Sequence, residues 1–204
     1  MRLFILGATG GIGQLLLKFG LEKGHELTAY VRSPQEISIT NKQLKVVQGD
    51  LFDPNKMAEF LPKHDAILSA FGPMTLNETS MRQEFGRALT TAMRKSGVSK
   101  AQVVSSAFLF ADVGMFGNFL RGTFFRQLVP DMARMESEVM KDDLDWTIVR
   151  PPRLTNGPVT RKYRVADNEL PARGFLISRA DVADFMITEA AKQEHVHQIV
   201  GLAN

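Results

Sequence analysis

An apolar run, Leu3-Phe4-Ile5-Leu6, leads straight into Gly7-Ala8-Thr9-Gly10-Gly11-Ile12-Gly13, and Gln14-Leu15-Leu16-Leu17-Lys18-Phe19 follows with helical character. This sequence of parts constrains the fold more than any other stretch of the chain. It reads as a buried strand, a tight turn and a helix N-terminus. Glycine reaches backbone angles closed to other residues and lets the main chain approach a ligand closely. The unpaired amides of the first helical turn, with the positive end of the helix dipole, attract an anion. With the strand before it and the helix after it, the turn is expected to accept the diphosphate of a dinucleotide. The competing reading is a glycine turn in an α/β domain that binds nothing.

The same alternation continues along the chain. Strand-like runs recur at Glu26 to Val31, Leu44 to Val47, Asp65 to Ala70, Ala101 to Ser105 and Asp145 to Val149. Amphipathic stretches separate them, and from Thr79 to Lys95 the residues Phe85, Leu89, Ala92 and Met93 fall on one helical face. Strands alternating with helices imply an α/β protein of Rossmann type, a doubly wound parallel sheet with helices on both faces. Residues 1–204 are expected to form one NAD(P)-binding domain, with the part from about residue 150 contributing the substrate side. Ligands of such sheets bind beyond the carboxyl ends of the strands.

Towards the C-terminus, Arg161 to Ala166 reads as a short strand and Ser178-Arg179-Ala180-Asp181 as a capped helix start. Gln198-Ile199-Val200-Gly201 is expected to close the sheet. Asp181 and Asp184 read as helix-end surface residues.

Composition narrows the classes of function. There are no cysteines, which removes disulfides, thiolate nucleophiles and cysteine metal sites. A formal charge of +3 from 25 basic and 22 acidic residues is too small and dispersed to imply nucleic acid. No apolar stretch approaches a membrane span, and Met1-Arg2 leaves no room for a signal peptide. A cytoplasmic protein with no membrane partner, monomer or homodimer, is the expectation. His25, His64, His195 and His197 have no carboxylates at ligand spacing, so no metal is expected.

The end of the second strand distinguishes the two dinucleotides. A carboxylate there would bond the ribose 2′-hydroxyl, whereas an arginine accommodates a 2′-phosphate. The chain offers Arg32 and Ser33 and no carboxylate, while Glu26 lies at the strand's other end. NADP(H) is therefore expected over NAD(H). The plainer reading of Arg32 is an exposed loop arginine.

Gly7 to Gly13, Gly49-Asp50, Ser105-Ser106-Ala107-Phe108-Leu109, Trp146 to Pro152 and Ile177 to Ala183 fall in order along the chain. Together they resemble the atypical short-chain dehydrogenase/reductase family, the NmrA-like NAD(P)H-binding proteins, and within it the biliverdin-IXβ reductase and flavin reductase branch. The resemblance implies that Gly7, Thr9, Gly10, Gly11, Ile12 and Gly13 line the diphosphate and that Arg32 and Ser33 meet the 2′-phosphate. It puts Asp50 and Leu51 at adenine, and Ala70, Phe71 and Gly72 at ribose and phosphate. Ser105 and Ser106 would flank the nicotinamide, with Arg150, Pro151 and Pro152 on its other side. Asp50 and Asp53 also read as turn residues before Pro54. Ser105 and Ser106 also read as partners of strand-end backbone groups.

The chain departs from that family in informative ways. Most short-chain dehydrogenases use a Tyr-x-x-x-Lys pair to move the substrate proton. Of the two tyrosines here, Tyr30 is followed four residues on by Pro34 and Tyr163 by Asp167. Asp131 and Met135 align with the missing pair, which rules out alcohol–ketone interconversion by that device. A planar electron acceptor such as a flavin or quinone needs geometry and a dry pocket instead. After the double proline stands Arg153, where the branch has histidine. Ser106 and Arg153 are the catalytic candidates.

Phe108, Phe110, Phe116, Phe119, Phe124 and Phe125 crowd the 108–125 stretch, with Arg121 among them. Phe108, Arg121 and Phe125 would form a substrate wall, or the aromatics are packing inside the fold or against a second subunit. Two functions stay open: an NADPH-dependent reductase of conjugated acceptors, and an NADP(H) sensor acting through a protein partner.

Overall fold

The computed structural model describes residues 1–72, 80–112, 122, 128–141 and 143–204. Its centre is an eight-stranded sheet with strand order β3-β2-β1-β4-β5-β6-β10-β8. The strands are β1 (Arg2–Leu6), β2 (Glu26–Val31), β3 (Leu44–Gln48), β4 (Ala66–Ser69), β5 (Lys100–Val104), β6 (Asp145–Arg150), β8 (Arg164–Asp167) and β10 (Gln198–Ala203). All neighbours run parallel except β8, which pairs antiparallel with β10. β10 therefore does not close the sheet, as its apolar sequence led one to expect. The polar strand β8 takes the outer edge, where unpaired backbone groups can face water. A separate parallel ladder joins β7 (Arg153–Thr155) to β9 (Leu176–Ser178).

Five helices are described: α1 (Gly11–Glu22), α2 (Pro54–Phe60), α3 (Met81–Ser96), α4 (Leu128–Met140) and α5 (Arg179–Lys192). The period-two alternation of β1 sorts the core into two layers. Leu3 and Ile5 face α1 and α5, where Leu16, Leu17, Val182, Met186 and Ile187 are buried. Phe4 and Leu6 face the opposite side, with Phe85, Leu89, Ala92, Met93 and Val139. The predicted face of α3 is thus the buried one. Capping sets the helix ends: the Asp53 side chain accepts from the amides of Asn55 and Lys56, and Ser178 from that of Asp181.

Asp181 and Asp184 are corrected from surface residues to buried ones, at 0% and 5% exposure. Asp181 accepts from the Thr160 and Arg161 amides, the Ser178 and Thr160 hydroxyls and the Asn204 amide group. These donors hold its carboxyl below the usual range despite burial, which acts the other way. One aspartate thereby ties the start of α5 to the 160–161 turn and the C-terminus. Its partners are remote in sequence, which hid the role.

Candidate functional site at the carboxyl edge

The strand order reverses direction between β1 and β4, the place where an open α/β sheet forms a crevice. Gly7 leaves β1 with φ +72°, a left-handed backbone that favours glycine. A Cβ on it would lie 2.7 Å from the Ala70 carbonyl and 2.8 Å from the Phe71 amide nitrogen. A Cβ on Gly13 would lie 2.0 Å from the Gly7 carbonyl oxygen. These two glycines let α1 start directly against the end of β1. Gly10 caps α1 without any side-chain hydrogen bond, so the first amides of the helix are not met by a capping side chain.

Backbone hydrogen bonds lace this edge together. Ala70 donates to Leu6 at 2.9 Å, Gly49 to Val31 at 2.9 Å, Ser105 to Val149 at 2.8 Å and Ala107 to Pro151 at 3.0 Å. Hence Arg32 and Ser33, Asp50 and Leu51, Ala70 to Gly72, Ser105 and Ser106, and Pro151 and Pro152 all fall at the carboxyl ends of adjacent strands. Arg32 is exposed, and among the described residues no carboxylate lies within ion-pair distance of it. Asp50 accepts from the Phe52 amide at 3.0 Å and Asp53 caps α2, so both do the turn chemistry that their sequence allows. Gly49 is required for another reason: a Cβ there would meet the Tyr30 ring at 2.0 Å.

The two serines separate. Ser106 Oγ accepts from the Phe108 amide at 3.3 Å and caps a 3-10 turn (Ala107–Leu109). Ser105 Oγ is buried and has no hydrogen-bond partner among the described residues. A hydroxyl left in that state costs free energy until something bonds it. The cradle closed to side chains, the free helix amides and this orphan hydroxyl fit a dinucleotide laid across the switch point.

Several other residues are committed to structure. Arg150 makes a two-pronged ion pair with Glu136 on α4, at 3.0 and 2.5 Å, and its guanidinium lies 4.8 Å from the Phe110 ring centroid. Asp131, aligned with the missing tyrosine, is fully buried and accepts from the Arg82 and Gln83 amides at the start of α3 and from the Arg82 guanidinium. Phe110 is buried with Ala107, and the half-buried Phe108, Leu170 and Ile199 pack against them. Arg153 is exposed on β7. Arg121 and Phe125 lie outside the described residues, as does most of the aromatic segment.

Both tyrosines are engaged in packing or in contacts with carboxylates. Tyr30 packs against Phe4 and Phe60 and is pushed up to about 12 by burial and by the nearby Asp53 and Asp50 charges. Tyr163 donates to Asp184 at 3.2 Å, and burial with that carboxylate raises it further above the usual phenol value. His195 corrects an expectation about partners: it bonds Glu189 at 2.9 Å and has Asp167 at 3.8 Å and Glu194 nearby. Both Glu189 oxygens are met by His195, one by its amide and one by its ring. A recess of about 570 Å³ lined by Arg2, Lys42, Lys45 and His64 sits at the sheet's amino edge, away from the switch point.

The geometry defines an α/β nucleotide-binding protein of Rossmann architecture. The NAD(P)H-binding family matches residues 7–198, and the chain belongs to that family. The uncharacterized protein YwnB of Bacillus subtilis is 28% identical over 209 residues, spanning 97% of this chain and 96% of its own. A short-chain dehydrogenase/reductase of Veillonella parvula, solved in complex with NADP, has TM-score 0.82 at 17% identity, over 100% of this chain and 94% of its own. A candidate NADH-flavin reductase of Streptococcus pneumoniae has TM-score 0.79 at 23% identity, over 100% and 99%. At such identities the likeness establishes the fold. No described helix is long and apolar enough to cross a membrane.

Proposed function

We propose that the protein is an NADPH-dependent reductase of planar conjugated acceptors such as flavins or quinones. The observation that carries the reading is the engagement of both tyrosines in packing or carboxylate contacts, combined with an intact dinucleotide cradle. Hydride chemistry is provided for, whereas a phenol to shuttle a substrate proton is not. An acceptor that spreads charge over its rings needs no such group and takes its proton from water. Overall, two electrons and a proton leave NADPH as hydride, and the reduced acceptor gains that hydride plus one water-derived proton.

In this reading the Gly11 and Ile12 amides hold the diphosphate, and Arg32 with Ser33 holds the 2′-phosphate. Bound NADPH supplies hydride from the C4 position of its nicotinamide. Ser105 Oγ gains the partner it lacks by bonding the carboxamide or the acceptor, and Pro151 and Pro152 wall the opposite side. Ser106 holds the 3-10 turn, and Arg153 meets acidic groups of the acceptor from β7. The fold shared with the candidate NADH-flavin reductase and with the NADP-bound short-chain enzyme is in keeping with this chemistry. The sensor alternative draws on the same missing Tyr and Lys, and the docking surface it would use, Phe116, Phe119, Phe124 and Phe125, lies outside the described residues.

The test is NADPH oxidation with a panel of free flavins and quinones. Acceptor-dependent loss of absorbance at the NADPH band is expected. Tight NADPH binding with no turnover on any acceptor would remove the reductase reading.

A further inference from the structure

Gly7 and Gly13 are explained by backbone geometry or close approach, but Gly11 is not. What occupies its side-chain space is Arg179, the first residue of α5. A Cβ on Gly11 would lie 2.8 Å from Arg179 Cδ and 3.1 Å from its Nε. The arginine stem is thus laid across the first residue of α1. From there its guanidinium donates to Asn156 Oδ1 at 2.7 Å.

Electrostatically this is an unfavourable place for a cation. Arg179 begins α5 and rests on the beginning of α1, so two positive helix ends meet at one guanidinium. Its recorded partner, Asn156, is a neutral amide. Among the described residues no carboxylate lies within ion-pair distance of it. Asp181, two residues on, is occupied by Ser178, Thr160, Arg161 and Asn204. The adjoining recess of about 370 Å³ is lined by Gly11, Leu15, Lys18, Asn156 and Arg179 among others, two of them cations and none a carboxylate. Uncompensated positive charge of this kind is relieved by a bound anion.

We infer that Arg179 is a diphosphate-binding residue, a cationic strap over the start of α1 that closes on the phosphates of the dinucleotide from the C-terminal side. The inference rests on the cofactor reading above. It also explains Gly11, because any larger residue would push the strap off the helix start. The contact joins the first and last βα segments, so a cofactor held this way would couple α5 to the glycine turn.

The experiment compares Arg179→Met with wild type in calorimetric titrations of NADPH, NADH and adenosine 2′-monophosphate. Methionine keeps an unbranched stem over Gly11 and removes the charge, and an unchanged thermal midpoint checks folding. Loss of one charge-assisted contact is expected to weaken NADPH and NADH by the same factor, about ten-fold or more. Binding of the 2′-monophosphate, which lacks the diphosphate, is expected to stay unchanged. As a second reading, Gly11→Ala is expected to weaken NADPH in wild type but much less in an Arg179→Ala background. Equal NADPH affinity in wild type and Arg179→Met overturns the inference and leaves the cofactor reading standing. So does a loss confined to NADPH, or one shared by the 2′-monophosphate. If wild type binds neither coenzyme, the cofactor reading itself fails, and the strap with it.

Discussion

Removing the Glu136 carboxylate is expected to be among the most damaging single changes to this fold. Its two oxygens hold the Arg150 guanidinium at 3.0 and 2.5 Å, and the two side chains are only 2% and 11% exposed. An exposed pair of this kind contributes at most about 1 kcal/mol. Here Glu136→Leu strands a guanidinium out of water, a loss of about 3–5 kcal/mol. The Phe110 ring against Arg150 offsets little of that, at about 1–2 kcal/mol. With a urea slope of about 2 kcal/mol/M, the denaturation midpoint should fall by about 1.5–2.5 M. Replacing both residues, as Glu136→Leu with Arg150→Met, removes both charges together and should recover to within about 1–2 kcal/mol of wild type. The assay is urea unfolding followed by the single tryptophan, Trp146, and by circular dichroism. A Glu136→Leu loss below about 1 kcal/mol would refute the reasoning, and so would a double variant no better than the single one.

Gly13→Ala forces a methyl to 2.0 Å from the Gly7 carbonyl, so α1 must move off β1; a loss of at least about 3 kcal/mol in urea unfolding is expected, with NADPH binding abolished. Arg32→Ala should weaken NADPH by about ten- to a hundred-fold and leave NADH within about two-fold, as read by fluorescence titration. Glu138 is held down at about 2, first by the Gln83 amide and then by Lys141 and Arg87, against the opposing effect of burial. Its contribution is therefore full above the ordinary value of 4.5 and lost as pH falls towards about 2. Between pH 5 and 3 the urea midpoint of wild type should drop more than that of Glu138→Gln.

Local patterns carried most of the fold into view. Each parallel strand from β1 to β6 announces itself as an apolar run bounded by turn residues, and α3 by a 3.6-residue period. What stayed hidden depends on contacts between distant segments. Asp181 looks like a routine capping aspartate until Thr160 and Asn204 arrive from other parts of the chain. Asp131 stands in sequence only where the tyrosine of the missing pair aligns, and its hold on the amides that begin α3 depends on residues 49 and 48 positions away. β8 (Arg164–Asp167) was legible as the short strand read over Arg161 to Ala166, but its antiparallel place outside β10 was not, because that pairing depends on a segment distant in sequence. At the site, the glycine turn was legible because backbone geometry dictates residue type there. Arg179 was not, since an arginine opening a helix gives no sign of which neighbour it covers. Ser105 and Ser106 are adjacent and chemically identical, and only the backbone path separates the capping hydroxyl from the one left without a partner.

Amide proton–nitrogen correlation spectra recorded during an NADPH titration test the central claim most directly. The account predicts the largest saturable shifts at Gly10, Gly11, Ile12 and Ser105, along the carboxyl edge between β1 and β5. Unmoved signals at those residues, or shifts concentrated instead at Thr28, Lys45 and His64 around the recess on the opposite edge, would contradict it.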